Sequence, residues 1–163
     1  MMGQPFFTFY RLEEKMIRIM FETDVLAPLS TIWRHFVEER LRMKWEVDLE
    51  SIVFDGPVAS GTRGTMKLAG MPAIPFLLSR IDTEREFTDE VDVPDMGKLE
   101  FKHEMFASGT TNHIRQTVTL TPLSEVAVEK EHGFFRTVTG DIAETVWRLK
   151  RAVDESAARQ AFP

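Results

Sequence analysis

The chain switches between two hydrophobic periods, and the order of the switches predicts its fold. Residues 16–25 alternate, with Ile17, Ile19, Phe21, Thr23 and Val25 set against Arg18, Glu22 and Asp24. Such alternation gives one dry face and one wet face, the mark of a half-buried antiparallel strand. Pro28 ends it, and Ser30 is placed to cap a helix from Thr31 onward. Ile32, Trp33, Phe36, Val37 and Leu41 then recur at helical spacing, with a kink or split expected near Glu38–Arg40.

Alternation returns at Trp45. Trp45, Val47, Leu49, Ser51 and Val53 are expected on one face, and Glu46, Asp48 and Glu50 on the other. Asp55-Gly56-Pro57 is a turn signal, and Gly61 to Gly64 opens a strand carrying Met66 and Leu68. Beyond the irregular loop of Gly70, Pro72 and Pro75, residues 76–87 read as one strand, with Leu77, Ser79, Ile81 and Thr83 facing one way. The acidic run Asp89 to Asp95 reads as a strand with a solvated edge, ending in the turn at Pro94 to Gly97. Strands at 98–107 and 111–121 flank the hairpin turn Ser108-Gly109-Thr110.

Phe135, Val138, Ile142, Val146, Leu149 and Val153 follow at intervals of 3, 4, 4, 3 and 4. That stripe predicts one long helix from about Lys130 with Gly140 inside it, while Asp141 and Glu144 would form a capping box if the helix began there. The expected architecture is α+β: a curved antiparallel sheet wrapped around a long C-terminal helix, with two short helices after the first strand.

The 163 residues suggest one domain over 16–157, preceded by an aromatic arm, 1–15, with Phe6, Phe7, Phe9 and Tyr10, and followed by a tail, 158–163. A net charge of −6 argues against a nucleic-acid partner, which needs a clustered positive field. Arg40, Arg42 and Lys44 alternate with Glu38, Glu39 and Glu46 and read as a solvated helix face. The absence of cysteine excludes disulfides, Cys-ligated zinc and thiol nucleophiles. The longest apolar stretch, Met71 to Leu78, is broken by Pro72 and Pro75 and is too short to span a membrane. No signal-peptide pattern opens the chain, so a cytoplasmic location is expected.

In family order stand Trp33 after the first strand, Lys44-Trp45, Asp55-Gly56-Pro57 with Gly61-Thr62-Arg63, Phe87 ending a central strand, His103 inside a later one, Gly109-Thr110, and Leu149-Lys150 on the last helix. Over roughly residues 16–157 the chain thereby resembles the START-like, polyketide cyclase/dehydrase and lipid-transport superfamily, with its birch-pollen-allergen-like helix-grip fold. The resemblance implies a cavity between sheet and helix for a lipid, polyketide or other apolar molecule. It implies no activity, because carriers, cyclases, co-chaperones and toxins share this fold.

A cavity so placed is lined by inward strand positions and the helix stripe. The expected ligand-binding residues are Trp33, Trp45, Met66, Leu77, Ser79, Phe101, His103, Met105, Ile114, Gln116, Ile142 and Val146. His103 sits on an apolar face with Leu99, Phe101 and Met105, where an unpaired polar group costs stability. Gln116 shares the concave side on the neighbouring strand and is placed to meet it. Three functions stay open. The first is binding or transport of an apolar or amphipathic small molecule. The second is a cyclase or dehydratase using His103 as general acid/base. The third is a protein-interaction module, with the aromatic arm leaving a homodimer open. No cofactor or metal is expected: His35, His103, His113 and His132 show no ligand spacing, and no phosphate loop or nucleophile elbow occurs.

Overall fold

Seven strands and four helices form from these patterns in the computed structural model, which describes residues 15–162. Strand β1 (Ile17–Val25) leads into two short helices, α1 (Leu29–Val37) and α2 (Glu39–Arg42). Strands β2 (Leu49–Phe54), β3 (Arg63–Leu68), β4 (Ile74–Asp82), β5 (Glu86–Val93), β6 (Gly97–Ser108) and β7 (Thr111–Pro122) follow, then α3 (Val128–Thr139) and α4 (Ile142–Ala161). The sheet is antiparallel in the order β1-β7-β6-β5-β4-β3-β2, so α1 and α2 carry the chain from one sheet edge to the other. The expected aromatic arm lies outside the described residues except for Lys15.

The stripe on the C-terminal segment is buried as the spacing requires: Phe135, Ile142, Val146, Leu149 and Val153 all face the sheet. The segment is two helices, however. Asp141, at φ −111° and ψ 15°, leaves helical geometry and separates α3 from α4. Asp141 is the N-cap of α4 but makes no side-chain capping bond, so the capping box does not form. At the first helix, Pro28 takes the N-cap position and Ser30 lies inside the first turn.

Two bulges change which residues face inward. A register shift between Leu49 and Ser51 puts Ile52 in the core and leaves Val53 58% exposed. Trp45 and Val47 precede β2 rather than belong to it; Trp45 is buried, and Val47 is 57% exposed. In β4, Phe76 and Leu78 are the buried residues, and the shift between Leu78 and Arg80 brings Ile81 to the core side. Residues 76–87 are not one strand: the turn at Thr83-Glu84-Arg85, with Glu84 at φ 60°, splits them into β4 and β5. Phe87 therefore lies near the start of β5 rather than at the end of a strand.

Two apolar clusters fill the concave side. One joins α1, α4 and the middle of the sheet through Ile32, Phe36, Trp45, Leu78, Phe87 and Val146. The other joins Leu99, Val118 and Leu120 to Phe135 and Ile142. Asp154 on α4 clamps the corner after β1, accepting hydrogen bonds from the backbone N–H groups of Leu26 (2.9 Å) and Ala27 (3.1 Å).

Candidate functional site

The floor of the site is set by register. Phe87 pairs with His103 and Asp89 with Phe101 across β5 and β6, so these four side chains share the concave face. Gln116 on β7 stands opposite His103. The end of α2 and the turn after it bring Arg42, Trp45 and Glu46 over this floor, and the α3–α4 break brings Asp141, Ile142 and Thr145. Between them lies a hollow of about 190 Å³ at the seam of the two apolar clusters. Its apolar wall is built from Leu49, Met66, Leu68, Phe101, Val118 and Ile142.

Its polar end contains a buried cation. Arg42 is 2% exposed and holds Glu46 in a fork, Nε to Oε2 at 2.8 Å and Nη2 to Oε1 at 3.1 Å. The four-residue spacing places the two on one side of a helical turn, and the planar guanidinium matches the carboxylate. Its plane also packs over Phe87 (5.2 Å) and Trp45 (5.8 Å), which suits a weakly hydrated cation. Trp45 is pinned in turn by its indole N–H, which donates to the His35 carbonyl at 2.9 Å.

Asp89 is 3% exposed, and its Oδ1 has no hydrogen-bond partner among the described residues. Burial pushes its carboxyl up to about 7; the nearby Arg42 pulls it down, while Glu46 and Glu100 add to the rise. His103, also 3% exposed, bonds through Nδ1 to the Phe87 carbonyl at 3.2 Å. A carbonyl only accepts, so Nδ1 carries the hydrogen and Nε2 presents a lone pair. That Nε2 is buried without a partner among the described residues. Burial, reinforced by Arg42, lowers the imidazole to about 4, so His103 is neutral near pH 7. Near neutrality the Asp89 carboxyl is within its titration range while His103 is neutral.

Of the residues expected at the cavity, Trp45, Met66, Phe101, His103, Gln116 and Ile142 line the hollow. Ile114 and Val146 instead line a void of about 10 Å³ behind His103, too small for a ligand. Met105 is packed in the core, and Trp33 meets Phe87 edge-on at 6.2 Å away from the hollow. Leu77 and Ser79 are corrected: Phe76 and Leu78 take the inward positions, and the Ser79 hydroxyl donates to the Thr88 carbonyl at 3.4 Å.

Two site residues were missed. Arg42 belongs to the cavity rather than to a solvated helix face, and Asp89 to its floor rather than to a solvated edge. Asp89 had a signal, since it alternates in phase with Phe87 and Val91. Arg42 had only its spacing to Glu46 and its nearness to Trp45.

No protein-family model matches the chain, and no curated protein is similar to it in sequence. Solved structures are. The crystal structure of Ara h 8.0201 superposes with a TM-score of 0.64 at 14% identity, covering 89% of this chain and 99% of that one. A protein of unknown function from Staphylococcus aureus gives 0.69 at 9% identity, over 88% of this chain and 97% of that one. A structural-genomics protein from Mesorhizobium loti gives 0.64 at 12% identity, over 85% and 98%. The chain has the helix-grip fold, and at these identities the likeness is one of fold. No helix among the described residues is long and apolar enough to cross a membrane.

Proposed function

We propose that this protein binds an apolar or amphipathic small molecule in the hollow between the sheet and the α3–α4 break. The observation that carries this reading is an apolar wall meeting two buried polar side chains that line the hollow, Asp89 and His103, each with one atom unpartnered among the described residues. Leaving such atoms unpaired costs about 1–3 kcal/mol each, so their burial beside the hollow is not explained by stability. Apolar lining with a few convergent polar groups is the usual makeup of a ligand site. Size narrows the choice. A dry cavity of about 150 Å³ holds benzene, so a hollow of about 190 Å³ suits the body of a single-ring molecule better than a whole lipid or a multi-ring polyketide.

Thermal unfolding with a panel of one-ring compounds tests this. At least one compound should raise the melting temperature in a saturable way, and Thr145→Trp, which fills the mouth of the hollow, should abolish the effect. Stabilisation that persists unchanged in Thr145→Trp would place binding elsewhere. No stabilisation by any compound would remove the reading.

A further inference from the structure

The hollow also specifies the head group of its ligand, an inference that rests on the reading that the hollow is a binding site. Asp89 and His103 are diagonal neighbours on adjacent strands, with backbones about 7–8 Å apart, and both line the hollow. Each keeps an acceptor unpaired among the described residues: Asp89 through Oδ1, and His103 through Nε2, because Nδ1 carries the ring hydrogen. A group set beside these acceptors should donate rather than accept. A hydroxyl supplies one, an ammonium supplies three, and a carboxylate supplies none.

Charge points the same way. The charged side chains lining the hollow are Glu46, Asp48, Asp89 and Asp141 against Arg42 and Arg148. Arg42 is forked to Glu46, and Arg148 is paired with Glu144 at 3.4 Å. Both cations are thus matched to carboxylates one helical turn away, and among the described residues Asp89 is left as a buried acid lining the hollow without an ion-pair partner. An anionic ligand would add like charge beside it, while a cation would complete it.

We propose that the ligand is a small single-ring amine whose ammonium pairs with the Asp89 carboxylate beside His103 while its ring lies against Met66, Phe101 and Ile142. Ionised Asp89 is the binding form. The charged and titratable groups around it are Arg42 and Glu46 from α2 and the following turn, His103 from β6, Asp48, Asp141 and Arg148 around the hollow, and Glu100 acting from the other face of β6. Since Asp89 loses its proton near neutrality, amine affinity should rise with pH until the amine itself deprotonates.

Calorimetric titration of the full chain with phenethylamine, phenylacetate and ethylbenzene, at about pH 6 and about pH 8, tests the assignment. Phenethylamine should bind at least about tenfold tighter than the other two and tighter at the higher pH. Asp89→Asn, isosteric and checked for a single cooperative melting transition, should remove that preference, and His103→Gln should reduce it. Phenylacetate binding as tightly as phenethylamine, or an amine preference that survives Asp89→Asn, overturns the head-group assignment. Ethylbenzene binding with no advantage to the amine would overturn this inference and leave the ligand-binding reading standing. If none of the three binds, the reading of the hollow falls with it.

Discussion

The Arg42 guanidinium takes both oxygens of Glu46, at 2.8 and 3.1 Å, and in doing so leaves Asp89 without a matched cation among the described residues. Arg42 is close enough to pull on the Asp89 carboxyl, but burial outweighs that pull. The site therefore holds an acid in reserve, and the pairing of Arg42 with Glu46 decides how much.

This arrangement predicts coupling. Breaking a buried ion pair by removing one partner ordinarily costs about 3–5 kcal/mol. Glu46→Gln should cost less than that, because Asp89 can turn to the freed guanidinium. Adding Asp89→Asn in that background should then cost more than the same change in the parent chain. A double-mutant cycle by urea denaturation should give an interaction of about 1 kcal/mol or more, and strict additivity would contradict the arrangement.

Two opposed titrations are the next consequence. Asp89 rises from 3.8 to about 7 on folding, so between those values the folded state holds the extra proton and stability falls as pH rises. His103 falls from 6.5 to about 4, so the unfolded state holds the extra proton and stability climbs as pH rises through that window. From about pH 4 to 6.5 the two contributions oppose each other in the parent chain. Asp89→Asn should gain on the parent with rising pH, and His103→Gln should lose against it, each by at most about tenfold in the folding constant per pH unit. Urea midpoints across the window read both; parallel profiles for parent and variants would contradict the burial of these two groups.

The strands, the helix stripe and the fold itself were legible in the sequence because each follows a simple period. Phe101, His103 and Gln116 fell where strict alternation put them, on strands without bulges. Leu77, Ser79, Val47 and Val53 did not, because the shifts at Leu49/Ser51 and Leu78/Arg80 reset the alternation with no mark in residue type. The stripe ran unbroken through Gly140 because Asp141 interrupts the backbone without moving the apolar residues off their common face. Arg42 and Asp89 were hidden for a different reason. Composition places charges in water, and only the packing of Trp45, Phe87 and Glu46 around them shows why these two lie inside.

Trp45 links the short helices to the site, and its indole bond offers a clean stability test. Trp45→Phe keeps an aromatic ring against Phe36, now 5.3 Å away, but leaves the His35 carbonyl without its indole donor. The expected cost is about 1–3 kcal/mol by urea denaturation, together with a weaker response to one-ring ligands. An unchanged midpoint would show that the bond contributes nothing to holding α2 over the hollow.

The central claim, that the hollow takes a small molecule, is tested most directly by nuclear magnetic resonance of the isotopically labelled chain during titration with phenethylamine. The account predicts saturable shifts concentrated at Phe101, His103, Gln116, Ile142 and Thr145, which meet at the hollow from three separate elements. Shifts confined to residues away from it, such as Leu77 and Ser79, or no saturable shifts at all, would contradict it.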